Sequence, residues 1–326
     1  MTSEDKSIGT VLRHPGWPEA RWDVSGAFVY DAALTAFHDR IAIAGGNGPF
    51  AAVHGSPSCL WNGGRVRNEF SHTQQSVEKT ILGYAQRNIP IDLTFSNSSL
   101  QKRDLDDAHG NFLLQRAAEA NPTGRNGVIA CSELLADHVR QHYPVLKLVS
   151  SVVKVAHENG RGQLDWYRRT AERYDKVMIH PDDNFDLELL QKLEDKSRYE
   201  ILVNEPCIRD CQRRKLHYAL LSECSLRPHD SNLLKKMRDL TDLNQCDNPD
   251  LLFHPAGAPR RTLILADSEI RRLYDLGFRN LKIQGRGMCN ATAMLLELSR
   301  LILNHETESW PIVSRVLDGI CESLPA

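Results

Sequence analysis

Short apolar runs bounded by turn residues alternate along this chain with longer segments of helical periodicity. Eight runs read as strands: Phe50–His54, Ile91–Phe95, Gly127–Cys131, Leu146–Ser151, Lys176–His180, Tyr199–Val203, Thr262–Leu265 and Asn280–Ile283. Their continuous apolar character suits parallel strands covered on both faces. Between them, apolar positions recur at helical spacing over 73–88, 104–120, 132–142, 163–173, 185–194, 210–222, 267–276 and 289–304. Ser132 is the expected N-cap of the helix at 132–142, with Glu133 in its first turn. Residues 30–44 predict a helix before the first strand, and 305–326 a terminal helix. Strand then helix, repeated eight times, predicts an α/β fold of the (β/α)8 TIM-like barrel type. An open doubly wound sheet is the alternative, although no glycine-rich phosphate loop follows the first strand.

The pattern divides the chain into an N-terminal arm at 1–30 and a single barrel domain at 31–326. The spacing breaks once, at 204–261, after the sixth predicted strand. This long excursion holds Cys207, Cys211, Cys224 and Cys246, half of the eight cysteines in the 326 residues. An ordered insertion carrying several thiols is expected to be organised around something.

In a barrel of this type chemistry sits at the C-terminal ends of the strands. Those ends offer His54, Ser56, Ser96, Asn97, Ser132, Ser150, Ser151, Lys154, His180, Asp182, Asp183, Asn184, Asn204, Glu205, Asp267, Gln284 and Arg286. The run Trp61-Asn62-Gly63-Gly64-Arg65 combines an aromatic plate, flexible backbone and a guanidinium. Arg65 and Arg286 together would form an anion pocket, because a guanidinium pairs bidentately with carboxylate or phosphate. Trp61, Arg65, Asn97, Asn204 and Arg286 are therefore the candidate substrate-binding residues. The candidate acid–base groups are His217, Asp182 and Glu205, with Asp182 alternatively capping the helix at 185–194. HExxH, GxSxG and Walker sequences are absent.

Thiolates select zinc or iron–sulfur clusters. The spacing Cys207-x3-Cys211-x12-Cys224-x21-Cys246 thus leaves three readings open: buried cysteines, a cluster, or structural zinc. The segment after Tyr199–Val203, together with Leu281-Lys282-Ile283-Gln284-Gly285-Arg286, resembles the collagenase-like peptidase family (peptidase family U, number thirty-two). That family carries a cysteine-rich segment after a barrel strand and a later Lys-Ile-Glu-Gly-Arg signature. Here Gln284 stands at the position of the signature's acid. The resemblance implies a [4Fe-4S] cluster on Cys207, Cys211, Cys224 and Cys246. It further implies an oxygen-independent hydroxylation of a small polar or anionic molecule, with a redox partner protein. The alternatives are a hydrolase or peptidase-like barrel enzyme, and a non-catalytic protein whose cluster or zinc ties down the excursion.

Composition narrows this only slightly. A formal charge of −2 gives no footprint for nucleic acid. No apolar run approaches the roughly 18 residues that a membrane-spanning helix requires. The polar start of the chain lacks a signal-peptide core, so a cytoplasmic protein with reduced thiols and no membrane partner is expected.

Overall fold

The computed structural model describes residues 12–43, 48–63, 72–120, 124–241, 262–285, 290–306, 314 and 318. Eight parallel strands close into a barrel with helices packed outside it. In chain order the barrel strands are β1 (Arg21–Ser25), β2 (Phe50–Gly55), β3 (Ile91–Phe95), β4 (Gly127–Ala130), β5 (Lys147–Ser150), β6 (Lys176–Met178), β7 (Tyr199–Leu202) and β10 (Asn280–Ile283). The remaining strands, β8 (Asn204–Ile208) and β9 (Thr262–Ile264), form a separate antiparallel ribbon.

The fold class is as expected, but two strand assignments differ. Arg21–Ser25, placed by the sequence reading in an arm, is the first strand of the barrel and closes it between β2 and β10. Its alternation is simple: Trp22 and Val24 join the apolar shell, and Asp23 lies buried inside the ring. A run of five residues with two apolar positions falls below the threshold that identifies buried strands. Conversely, Thr262–Leu265 is not a barrel strand. Thr262–Ile264 pairs back onto the excursion, with Asn204 opposite Ile264 and Glu205 opposite Leu263, and β7 pairs directly with β10.

The helices are α1 (Asp31–Ile43), α2 (Gln74–Gln86), α3 (Ala108–Ala120), α4 (Glu133–His142), α5 (Val152–His157), α6 (Leu164–Arg173), α7 (Leu187–Gln191), α8 (Arg214–Leu226), α9 (Ser231–Thr241), α10 (Asp267–Asp275) and α11 (Ala291–Ile302). Ser132 caps α4 as expected, accepting the Leu135 N–H. The main core lies between strands and helices. Outward residues such as Val53, Leu93, Val128, Val177, Ile201 and Leu281 meet Leu34, Ile81, Leu114, Val139, Leu190 and Leu298 there. Each such buried side chain contributes about 1.5–3 kcal/mol. Residues 12–20 seal one end: the Trp17 indole N–H donates to the Leu301 carbonyl at 2.7 Å, and His14 stacks on Trp17.

Helices α8 and α9 belong to the excursion. Helix α8 packs on α5, burying Tyr218 against Cys131, Val153 and Ala156. The Ser222 hydroxyl accepts the Ser98 N–H at 3.1 Å, which places α8 over the C-terminal ends of β3 to β5.

Candidate active site at the barrel mouth

The barrel interior carries charge. Asp23, His54, Asp92, Glu200 and Lys282 are all buried on strands, and Lys176 joins them at partial exposure. Asp23 Oδ1 lies 2.7 Å from His54 Nδ1. Lys282 Nζ donates to Asp23 at 3.2 Å and to Glu200 at 3.1 Å, and Lys176 Nζ donates to Glu200 at 3.0 Å. Lys176 Nζ also reaches within 3.9 Å of Asp23, on a strand that is not its neighbour in the ring. A contact of that kind is made only through the lumen.

Burial and neighbouring charges move several of these groups away from their ordinary titration ranges. Burial is the largest influence on Asp23 and opposes ionisation, but Lys282 and His54 outweigh it and hold its carboxyl well below the usual range. His54 is pushed down, first by burial and then by the Lys282 charge, so its imidazole is neutral near pH 7. The Lys176 ammonium is held well up by Glu200 and Asp23 against the cost of burial. Asp92 is pushed up to about 7 by burial, with the Asp23 charge adding to it. Its room comes from β4: a Cβ on Gly127 would stand 2.6 Å from Asp92 Oδ1 and 3.1 Å from the Lys147 carbonyl oxygen. A side chain at 127 and a carboxyl at 92 compete for one space.

Above this network lies a cavity of about 170 Å³ at the C-terminal ends of the strands. His54, Lys282 and Gln284 reach it from below, and Ser25, Ser56, Thr94, Ser96 and Ser151 add hydroxyls. Phe28, Val29, Tyr30, Ile129, Val152, Met178 and Leu202 make the rest of the wall apolar. Ser25 Oγ and Thr94 Oγ1 are buried oxygens with no hydrogen-bond partner among the described residues. Orphaned hydroxyls beside a cavity are donors and acceptors available to an occupant.

With Nδ1–H given to Asp23, the neutral His54 presents Nε2 as an acceptor. Lys282 has three N–H donors, of which Asp23 and Glu200 engage two. A base and a cation therefore face one small chamber.

The second polar cluster lies in the excursion. The buried Arg214 guanidinium donates to Asp182 Oδ2 at 2.5 Å and to the Ile208 carbonyl at 2.6 Å. The His180 ring is pushed down to about 3 by burial and by the neighbouring Arg214 charge. Asp210 adopts a left-handed φ of 55° and donates its N–H to Asp182. This turn brings Cys207 and Cys211 into mutual hydrogen bonding. Cys211 is drawn down to about 6, first by the thiol hydrogen bond from Cys207 and then, against burial, by backbone N–H groups of Arg213 and Arg214. Cys207 is pushed up by donating that bond.

Three comparisons bear on this arrangement. No protein-family model matches the sequence, and no curated protein matches it. Among solved structures, the fold resembles the U32 peptidase Mk0906, at a TM-score of 0.46 and 11% identity over 81% of this chain and 92% of that one. That structure is a member of the family which the cysteine-bearing segment and Leu281–Arg286 resemble.

The expected four-sulfur site is only half present among the described residues. Cys207 and Cys211 meet, whereas Cys224 sits near the end of α8, among Glu223, Arg227 and Asp230. Ten residues of helix separate Cys224 from Arg214, about 15 Å of rise. Cys246 lies outside the described residues. Among the described residues, no three His, Cys, Asp or Glu side chains are grouped to hold a metal ion.

Other expected site residues hold the fold together. Trp61 is fully buried, gives its indole N–H to the Asp104 carbonyl at 2.7 Å and packs edge-on to Phe95. An aromatic plate for a ligand must be exposed to it, and this one is not. Asn97 donates to the Leu60 carbonyl at 2.8 Å and to Ser225 Oγ at 3.2 Å, tying β3's end to α8. Asn204 and Gln284 bond reciprocally, at 3.0 Å and 2.8 Å through main-chain groups of Gln284. Asp182 pairs with Arg214 rather than capping a helix, and Asp186 caps α7. His217 is half-buried on α8, Glu205 is buried in the ribbon, and neither lines the cavity. Arg65 and Arg286 lie outside the described residues.

Five of the strand-end residues, His54, Ser56, Ser96, Ser151 and Gln284, do line the cavity. The reading by strand ends missed Asp23, Asp92, Lys176, Glu200 and Lys282, which sit two to four residues earlier. Their signal is a lone charge inside an apolar strand run, as in Ile91-Asp92-Leu93, Tyr199-Glu200-Ile201 and Leu281-Lys282-Ile283.

Proposed function

We propose that the chain is a barrel enzyme that hydrolyses a small, largely apolar carbonyl compound in the mouth cavity. The observation that carries this reading is a neutral, carboxylate-oriented His54 and the Lys282 ammonium facing one cavity with two orphaned hydroxyls. His54 Nε2 takes a proton from water as that water attacks the carbonyl carbon. Lys282, fixed by Asp23 and Glu200, stabilises the oxygen that becomes negative. Ser25 and Thr94 supply hydrogen bonds that orient the substrate. The His54 proton then passes to the leaving oxygen or nitrogen. Base catalysis of this kind contributes about 10²–10⁴-fold, and one well-aimed oxyanion donor about 10²–10³-fold.

The apolar wall from Phe28 to Leu202 selects substrates with an aliphatic or aromatic body. A panel of small acyl amides and esters tests the proposal. Turnover that falls at least about 10²-fold in His54→Gln, with folding retained by circular dichroism, supports it. Equal turnover by folded His54→Gln would remove it. If no ester or amide is cleaved but hydrogen beside a carbonyl exchanges with solvent in a His54-dependent manner, the same site performs proton abstraction instead.

A further inference from the structure

The mouth cavity is polar along one arc of the ring and apolar along the other. Around the barrel the strands run β10, β1, β2, β3 and then β4 to β7. The first four send Lys282, Ser25, His54 and Thr94 to the cavity, in that order. The opposite arc presents Ile129 from β4, Met178 from β6 and Leu202 from β7. An occupant therefore needs a hydrogen-bonding edge and a hydrocarbon edge. Not every hydroxyl in the wall is available to it. Ser56 gives its own to the Pro57 carbonyl at 2.8 Å, and Ser151 caps α5 by accepting the Lys154 N–H at 3.1 Å. Ser25 Oγ and Thr94 Oγ1 have no partner among the described residues, and their strands flank that of His54. Gly285 keeps the Ser25 hydroxyl uncovered: a Cβ there would stand 2.4 Å from Ser25 Oγ and 2.9 Å from Met294 Cε.

We propose that the molecule this cavity takes is a compact hydroxy-carbonyl compound, with a carbonyl held by Lys282 and Ser25 and a nearby hydroxyl held by Thr94. The proposal rests on the hydrolytic reading only for where the reacting carbonyl lies. Ser25 pairs in register with His54, and His54 with Asp92, so Thr94 is two strands across and two residues further along. At the ordinary spacings of a sheet that is about 12 Å between the backbones, more than two short side chains and one shared oxygen can span. A ligand that satisfies both hydroxyls must therefore bring two polar groups. One that lacks the second leaves Thr94 Oγ1 dry and unpaired, which costs affinity. The body is limited by size. A cavity of about 170 Å³ is close to the roughly 150 Å³ that accommodates benzene, which allows one ring or its aliphatic equivalent against Ile129, Met178 and Leu202.

Three ligands that cannot be hydrolysed test this on the full-length protein: ethylbenzene, acetophenone and α-hydroxyacetophenone, each with one oxygen more than the last. Titration calorimetry reads their Kd values. The expected order has α-hydroxyacetophenone tightest and ethylbenzene weakest, with a gain of about three- to tenfold per oxygen. In Thr94→Val, which keeps the shape of the side chain, the gain from the hydroxyl should vanish while acetophenone binds as it does to the parent. In Ser25→Ala both oxygenated ligands should weaken and ethylbenzene should not. Equal binding of all three ligands by the parent overturns the proposal, as does failure of all three to bind at millimolar concentration. A hydroxyl gain that survives in Thr94→Val puts that group elsewhere and overturns it too. The order of the three ligands is read on the unaltered protein, so misfolding of a variant cannot mask the answer. If the order holds while no ester or amide is turned over, the ligand class stands and the hydrolytic reading falls. If esters or amides are cleaved while the order fails, the outcome is reversed.

Discussion

The barrel lumen and the excursion both bury charge, and they do so by opposite means. In the lumen, Asp23, His54, Lys176, Glu200 and Lys282 come from five strands spread over most of the chain. No two of them are near in sequence, and the closed ring assembles them. In the excursion, Cys207, Asp210, Cys211 and Arg214 lie within eight residues, and one turn assembles them, with His180 and Asp182 added from the end of β6. A site built by the whole fold has its geometry only when the fold is complete. A site built by a turn has its geometry as long as that turn holds. The lumen network should therefore couple activity to global stability, whereas the cysteine pair should be altered with little effect on the barrel.

The largest test of that contrast is Lys282→Met. Removing this cation leaves Asp23 and Glu200 with Lys176 alone to balance them in a buried site, and a broken buried pair costs about 3–5 kcal/mol. Urea denaturation should show that loss, whereas Cys211→Ser should change stability by less than about 1 kcal/mol. If the two variants unfold alike, the contrast between the regions is wrong.

His54→Gln keeps a side chain of similar reach but removes the base. Its kcat/KM should fall at least about 10²-fold, with a smaller drop in stability than in Lys282→Met. In the parent enzyme, the acid limb of the rate profile should lie below the ordinary histidine value of 6.5, because burial and Lys282 disfavour the imidazolium. An acid limb above 6.5 would show that His54 is not the base.

Asp92→Asn sharpens the picture through its sign. The folded state raises this carboxyl from 3.8 to about 7, so folding takes up a proton between those values. Stability from this group is greatest below pH 3.8, declines through the interval, and above about 7 the buried charge is a constant cost. The amide variant should therefore gain most over the parent at pH 8, by about 1–3 kcal/mol, and less at pH 5. Thermal melts at the two pH values check this; a larger gain at pH 5 would reverse the assignment.

Gly127→Ala perturbs the same carboxyl from the neighbouring strand. The added methyl meets Asp92 Oδ1 and the Lys147 carbonyl, and overpacking of this kind costs about 1–3 kcal/mol. Asp92→Ala in the same chain should restore part of that loss, because it removes one of the two obstacles.

The sequence made the barrel legible because most of its strands are unbroken apolar runs with turn residues at each end. β1 escaped because Asp23, which belongs to the lumen, interrupts Trp22 and Val24. β9 misled because Thr262-Leu263-Ile264 has the apolar content of a barrel strand, and only its partner distinguishes the two. The cysteines drew attention through their spacing, yet helix geometry carries Cys224 away from the pair. The lumen charges were hidden for the converse reason: each is isolated in sequence, and only ring closure reveals that they face one another. Trp61 shows a related limit, since composition cannot tell an exposed ring from one sealed under Gly110 and Phe95.

One joint in the chain has a mechanical consequence. Between the last residue of β7, Leu202, and the first of β8, Asn204, there is only Val203, whose N–H goes to Lys282 and whose carbonyl takes the Leu265 N–H. The ribbon is thus rooted in the barrel wall without slack. A displacement of the ribbon passes through the paired Glu205 and Asn204 to Val203 and arrives next at Leu202, which faces the cavity. The ribbon and the shape of the chamber below it are joined by a stiff lever, and the amide of Val203 should exchange with deuterium as slowly as those of the ring itself.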